Sequence, residues 1–359
     1  MRKQIVALNG ALILNLIFLL PPTLAQAVNS PWEKPNLAGK ALMQSGKFAE
    51  AEQQFKQALL LAQKLSPTDS RRIEILTNLA ESYKHQEKFV EAEAFFKQAA
   101  ELAEKGGNSA TAKANLSSAF NNLAALYYKE NKLSDAETYM QKAIEVEEKS
   151  SGFNDKSLVG DLTELAKLYK EESKIELAES TYKRIVKIWE KNAPDSSQQA
   201  MALDQLAGFY RSIKKVAEAE GPGKEALSIL EKKYGKESTQ LVPFLSNLGN
   251  TFKAMGKSED AQNIYLRALH IEEKVHGEKS AEVSHACMNL AKLFKAQKNY
   301  KEAEQYYKKA IAINESSPST NKKDYVYNLE SFADMLRKSG KEEEAESVQT
   351  KADALHEGK

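Results

Sequence analysis

Residues 289–310 read NLAKLFKAQKNYKEAEQYYKKA. Leu290 and Phe294 stand four apart, so they share one face of a helix. Ala291, beside the leucine, is small enough to let a second helix approach closely. A polar turn follows, then Ala303, Tyr307 and Ala310 at intervals of four and three, which is again one helical face. The stretch therefore predicts a helical hairpin, and a hairpin of this size cannot bury its apolar face alone.

The same pattern recurs on both sides. The leucine, small residue and aromatic appear as Leu79-Ala80 with Tyr83, Leu123-Ala124 with Tyr127, Leu165-Ala166 with Tyr169, Leu206-Ala207 with Tyr210 and Leu248-Gly249 with Phe252. Ala38-Gly39 with Leu42 is a degenerate first copy, and Phe332-Ala333 with Leu336 a weaker last one. The anchor returns every 41 to 44 residues, most often 42. Twelve residues past each small residue stands an alanine: Ala51, Ala92, Ala136, Ala178, Ala219, Ala261, Ala303 and Ala345. Four further on the residue is usually aromatic, as at Phe55, Phe96, Tyr182, Tyr265 and Tyr307, with Met140 once in that place. A fixed period of this length signals stacked supersecondary units sharing one continuous core. The expectation is an all-α chain of about eight helix-turn-helix units over residues 37–356, sixteen helices with no sheet.

Short turns such as Ser45-Gly46-Lys47 and Met255-Gly256-Lys257 separate the helices of a pair. Between pairs, Gly152, Gly235 and Gly277 follow charged helix ends, where glycine closes a helix. Ser157, Ser238 and Ser280 come next and are placed to cap the following helix. Pro194 and Pro318 sit in equivalent links, where a helix must stop. One copy departs from the pattern. Gly221-Pro222-Gly223 replaces the aromatic and inserts a helix breaker, which predicts a kink, an interruption or a hinge near residue 221.

The N-terminus is a different polymer. Arg2 and Lys3 precede an apolar run from Ile5 to Leu20, followed by Ala25-Gln26-Ala27. A basic start, an apolar middle and a small-x-small end read as a secretory signal peptide over residues 1–27, cut near Ala27, with a short linker at 28–36. The mature chain is then expected in a secreted or periplasmic location with no membrane contact. An uncleaved membrane tether is the alternative. Asn9 and Asn15 interrupt the apolar run, which is short for a span.

Composition limits the chemistry. Hydrophobic residues make up 42% and charged residues 28%, the balance of a folded chain. A net charge of +1 gives no reason to expect nucleic-acid binding. The lone cysteine, Cys287, sits in an apolar run and reads as a small buried helix residue. None of the five histidines pairs with a second ligand at metal-binding helical spacing, and there is no phosphate loop or nucleophile elbow. Acids alternate with lysines, as in Lys301-Glu302-Ala303-Glu304, like a solvated helix face. No cofactor, no metal and no catalytic residue is expected.

The pattern resembles the tetratricopeptide repeat, in the 42-residue form of kinesin light chains. Asn-Leu-Ala at 122–124 and 289–291 and Glu-Lys-Val-His-Gly at 273–277 are similar to that form. The resemblance implies a right-handed α-solenoid whose inner surface, lined by the first helix of each pair, binds peptides or protein elements. On that helix, four residues past the small anchor, stand Lys84, Tyr128, Lys170, Arg211, Lys253, Lys295 and Arg337. Lys167, Lys292 and Asn250 lie one turn earlier, and Asn121 and Thr163 begin the stripe in two repeats. One reading is a cationic groove for acidic or carboxylate-bearing protein segments. The other is a set of cations favoured by helix C-termini. Glu81, Asp204, Glu330 and Asp334 share the stripe and oppose the first reading. The function expected is a non-enzymatic binding scaffold, the alternative a solenoid that associates with itself.

Overall fold

The computed structural model describes residues 30–316 and 322–356. The proposed signal segment and Pro318 lie outside the described residues. Among those described are sixteen α-helices and three short 3-10 turns, with no strand. In chain order they are α1 (Glu33–Gln44), α2 (Phe48–Leu61), α3 (Ser70–His85), α4 (Phe89–Lys105), α5 (Ala110–Lys129), α6 (Leu133–Ser151), α7 (Val159–Glu171) and α8 (Ile175–Asn192). There follow α9 (Ser197–Ser212), α10 (Val216–Tyr234), α11 (Val242–Ala254), α12 (Ser258–His276), α13 (Ala281–Ala296), α14 (Tyr300–Ser316), α15 (Lys322–Lys338) and α16 (Glu342–His356). Two compact units divide the chain, Met1–Ala178 and Glu179–Lys359. No described helix is long and apolar enough to cross a membrane.

One backbone device makes every hairpin. Seven residues past each small anchor the chain enters the left-handed region, at Gly46, Glu87, Asn131, Ser173, Lys214, Gly256, Lys298 and Gly340. The next residue's N–H then turns back to the carbonyl of the first helix's aromatic or equivalent residue. Lys88 donates to Tyr83 O at 3.0 Å, Lys174 to Tyr169 O at 2.7 Å and Asn299 to Phe294 O at 2.9 Å, with the same bond in the other five copies. This six-to-one bond satisfies a carbonyl that the helix end leaves unpaired. Only three of the eight positions are glycine; the others hold side chains in a conformation that costs them about 1–2 kcal/mol.

Packing follows from that turn. The alanine twelve past the anchor is fully buried in all eight copies. Where the anchor is glycine the partner ring takes its space. A Cβ on Gly39 would lie 2.5 Å from the Phe55 ring, and one on Gly249 2.4 Å from the Tyr265 ring. In the first unit a single core cluster runs from Ala51 through Leu123 to Leu168. Neighbouring hairpins are also stapled by charge. The lysine that opens the second helix pairs with a glutamate of the hairpin before it: Lys88 with Glu52 at 3.1 Å, Lys215 with Glu179 at 3.2 Å, Lys257 with Glu220 at 2.6 Å and Lys341 with Glu304 at 2.9 Å. Burial pushes the Glu52 carboxyl up, but hydrogen bonds from Lys56, Gln86 and Lys88 outweigh it and hold the group at about 2.

Three expectations are corrected. The first helix begins at Glu33, inside the segment read as a linker, because Trp32 is buried against Ala58, Ala62 and Ile75 and anchors the chain there. Ser157 caps no helix. It lies in a 3-10 turn, and its N–H donates to the Asp155 carboxylate at 2.8 Å. Helix α10 is not interrupted at Gly221-Pro222-Gly223 but runs through Pro222. Packing overrides the local cost, since Ala219, Gly223 and Ala226 are all buried. Leu248 of the next hairpin comes within 3.3 Å of the Cβ position of Gly223, where other copies carry an aromatic.

These geometries set measurable stabilities. Lys214→Gly relieves a left-handed side chain and is expected to raise stability by about 0.5–1 kcal/mol in urea unfolding. Gly221→Ala, in open helical space, should gain about as much, about 0.5–1 kcal/mol, whereas a broken helix there would show no gain. Gly249→Ala drives a methyl into the Tyr265 ring and should cost about 1–3 kcal/mol. Hydrogen bonds from Lys183, then from Lys215 and Tyr210, hold the Glu179 carboxyl at about 2 against the opposing effect of burial. A lowered carboxylate stabilises the fold above its unfolded pKa and loses that effect as pH falls through its folded one. Glu179→Gln should therefore melt lower than the parent at neutral pH, with the difference closing as pH falls from about 5 to about 2.

Candidate functional site

In the first unit the predicted row is not cationic. Lys84 is neutralised by Glu81 of its own helix at 2.6 Å, and Lys167 pairs with Glu164 at 2.6 Å. Asn121 on α5 donates to the Asp161 carboxylate on α7 at 2.8 Å, and the Tyr128 hydroxyl donates to Glu171 at 2.9 Å. These two residues therefore tie neighbouring first helices together. Thr163 is turned inward on its own helix, its hydroxyl donating to Val159 O at 2.7 Å. A pocket of about 350 Å3 lies here, and Asp161, Glu164 and Glu171 outnumber Lys167 in its lining. Burial, with Glu164 adding to it, raises the Asp161 carboxyl against the opposing bond from Asn121. Lys170 is exposed at the end of the row and makes no ion pair among the described residues. The acids one turn before the cations cancel the charge that the spacing seemed to collect.

The second unit is different. Arg211 on α9 reaches across to α11 and donates to Thr251 Oγ1 at 3.1 Å. Burial lowers its pKa, and Asp204 opposes that shift. Asn250 accepts a hydrogen bond from the Tyr265 hydroxyl at 2.8 Å. Lys253, one turn on, is half-buried and has neither a hydrogen bond nor an ion pair among the described residues. Burial pulls its ammonium below the ordinary lysine range, and the charge of Lys292 pulls it further. Lys292 rests 4.6 Å above the ring of Tyr327, a side chain that stays half exposed. Close to Tyr327 lies Tyr307, fully buried, its hydroxyl without a hydrogen-bond partner among the described residues.

Arg211, Asn250, Lys253 and Lys292 thus form one patch on the first helices α9, α11 and α13, walled by tyrosines. Two predicted members leave it. Lys295 is neutralised by Asp334 at 2.9 Å, and Arg337 turns to Gln349 at 3.2 Å. The sequence reading missed Thr251, Tyr265, Tyr307 and Tyr327. The usable signal was tyrosine where other copies carry phenylalanine, since a buried hydroxyl needs a partner. Cys287 is buried and its thiol is pushed up to about 11 by that burial, so it is no nucleophile at neutral pH. Among the described residues no three His, Cys, Asp or Glu side chains gather as a metal site.

Comparison with known proteins agrees with this architecture. One sequence model of the tetratricopeptide repeat matches residues 34–105, 241–316 and 286–355, and a second matches 116–155 and 199–240. No curated protein matches the chain. Among solved structures, the apo form of RapI is similar over 91% of this chain and 99% of its own, with a TM-score of 0.55 and 14% identity. BtubC from P. vanneervenii is similar over 64% of this chain and 91% of its own, at 0.52 and 20% identity. The C-terminal part of a repeat protein from Cytophaga hutchinsonii is similar over 78% and 96%, at 0.52 and 15% identity. Such identities speak for the fold alone. With repeat matches over most of its length and the hairpin register in every copy, the chain belongs to the tetratricopeptide-repeat family.

Proposed function

We propose that this chain is a non-enzymatic, exported scaffold that holds an acidic segment of a partner protein against the first-helix patch of its second unit. The observation that carries the reading is Lys253. A half-buried ammonium beside a second cation, with no counter-ion, destabilises the free protein. An incoming carboxylate removes that penalty, and Lys292, Arg211 and Asn250 add charge-assisted or polar hydrogen bonds. Each exposed pair contributes only about 0–1 kcal/mol, so affinity comes from several contacts in a row and falls with salt. Export rests on the Arg2-Lys3 start, the apolar run and Ala25-Gln26-Ala27.

Binding of a capped glutamate-rich peptide, measured by calorimetry, tests the patch. The double variant Lys253→Glu with Lys292→Glu should weaken it about tenfold or more, roughly 1.4 kcal/mol. Lys301→Glu, on an exposed second-helix face, should leave it unchanged. Equal binding by all three proteins would remove the patch from the function. Stability gives an independent reading. Because the folded pKa of Lys253 lies below its unfolded value, the charged form costs stability at neutral pH, and the cost fades as pH rises toward about 10.4. Lys253→Met should therefore melt above the parent at pH 7, with the gap narrowing at high pH, while losing peptide binding. A lower melting temperature would mark Lys253 as a structural residue. N-terminal sequencing of native material should find Val28 first; an intact Met1 in a membrane fraction would replace export with a tether.

A further inference from the structure

Adjacent second helices are cross-linked at one register across three gaps of the second unit. Arg267 on α12 pairs with Glu231 on α10, Lys309 on α14 with Glu273 on α12, and Lys351 on α16 with Glu315 on α14. In each case the cation stands eighteen residues past its own small anchor, and the carboxylate twenty-four past the anchor before. The same count in the first unit lands on Lys142 of α6 and Glu104 of α4. Here the bridge is open. Neither residue makes an ion pair among the described residues, and Lys142 folds onto the rings of Tyr139 and Phe120, at 4.8 and 5.9 Å.

A cleft of about 620 Å3 occupies the gap, with α4 and α6 as walls and Leu116, Phe120 and Leu123 of α5 along its floor. Two residues of this floor, Leu116 and Phe120, are less covered than their counterparts in other copies, while Leu123 is fully buried. At the register of Leu116, three other copies place Leu158, Leu241 and Val283, each fully buried, and three place the polar or amphipathic Arg72, Gln199 and Tyr325. At the register of Phe120 the first three place Leu162, Leu245 and Cys287, each 2% exposed or less. Leu116 and Phe120 are instead only partly buried. This is also the repeat whose anchor comes 44 residues after the one before, and the link at Gly107 and Asn108 closes one end of the cleft.

We propose that this cleft docks an amphipathic helix of a partner protein, its apolar stripe covering Leu116 and Phe120 and an acidic flank meeting Lys142 and Lys113. Partly covered core in a groove between two helices is the geometry in which an amphipathic helix buries its apolar face. From Tyr139 to Lys149 the α6 wall spans eleven residues, a rise of about 15 Å or nearly three helical turns. The charge of the occupant follows from the lining. Among the described residues, Lys113 and Lys142 are two lining cations without a carboxylate partner, against one lining acid, Glu104, without a cationic one. The site lies in the first unit and on second helices, apart from the patch around Lys253, so either can fail alone.

The test uses the mature chain and three capped, dye-labelled helical peptides: leucine-striped with glutamate flanks, the same with alanine for leucine, and leucine-striped with lysine flanks. Fluorescence anisotropy should show the first binding about tenfold or more tighter than the other two. Lys142→Glu, an exposed change that spares the fold, should weaken the first peptide about tenfold, as should Leu116→Lys. Lys253→Glu should leave it unaltered, which separates this cleft from the patch of the second unit. No binding, equal binding by the alanine peptide, or equal binding by Lys142→Glu overturns the proposal. A dimer of the unliganded chain that Leu116→Lys dissolves, seen by sedimentation velocity, overturns it too, because the cleft would then be covered by a second copy.

Discussion

The bond from the residue after the left-handed turn to the carbonyl five positions back is what the rest of the molecule depends on. It ends the first helix and sets the angle at which the second leaves. It also brings the small anchor opposite the ring of the returning helix. The Tyr265 ring lies where a Cβ of Gly249 would be, so the two helices of that hairpin are as close as backbone allows. Glu87, Ser173, Lys214 and Lys298 accept left-handed backbone to keep this geometry. Local strain is tolerated there because each copy of the turn must hold its angle before a hairpin can stack on its neighbour.

Charge in this chain does two kinds of work. Part of it is stitching. In five copies the lysine at the start of the second helix finds a glutamate on the hairpin before, and cations on second helices find carboxylates one gap away. Along the first helices of the first unit, Lys84 and Lys167 are answered by acids of their own helices, while Lys170 has no ion pair among the described residues. Where stitching is incomplete, charge is left over for something else. Lys253 in one place and Lys142 with Lys113 in another are cations that the fold itself does not neutralise. A repeat register makes such exceptions visible, because each position has seven others to be compared with.

The two exceptions differ in origin. The patch around Lys253 arises by substitution within a regular 42-residue frame, with tyrosines entering at aromatic positions. The cleft accompanies a change of frame, two added residues that leave the register intact on either side. Pro222 shows the opposite outcome, a local signal that the frame suppresses. Its helix is held by buried alanines before and after it and by Glu220, which accepts from both Lys224 and Lys257.

The sequence by itself determined the helices, their pairing and the identity of the core. Leu123, Leu165, Leu248 and the eight alanines are buried as their spacing demands, because helical periodicity puts them on one face wherever the chain goes. The opening helix was misplaced by four residues, since the pull of Trp32 toward Ala58 and Ile75 comes from the returning helix and the next hairpin and not from its neighbours in sequence. For the residues proposed for the groove, spacing chose the helix face but not the state of each charge. Glu81, three residues before Lys84 on the same helix, was legible as its partner, but whether Lys295 is neutralised by Asp334, or Lys253 by nothing among the described residues, depends on side chains meeting across hairpins at a few ångströms. Only the tertiary structure decides that, because attraction between charges falls with distance and rises with burial, and neither quantity is written in the order of residues.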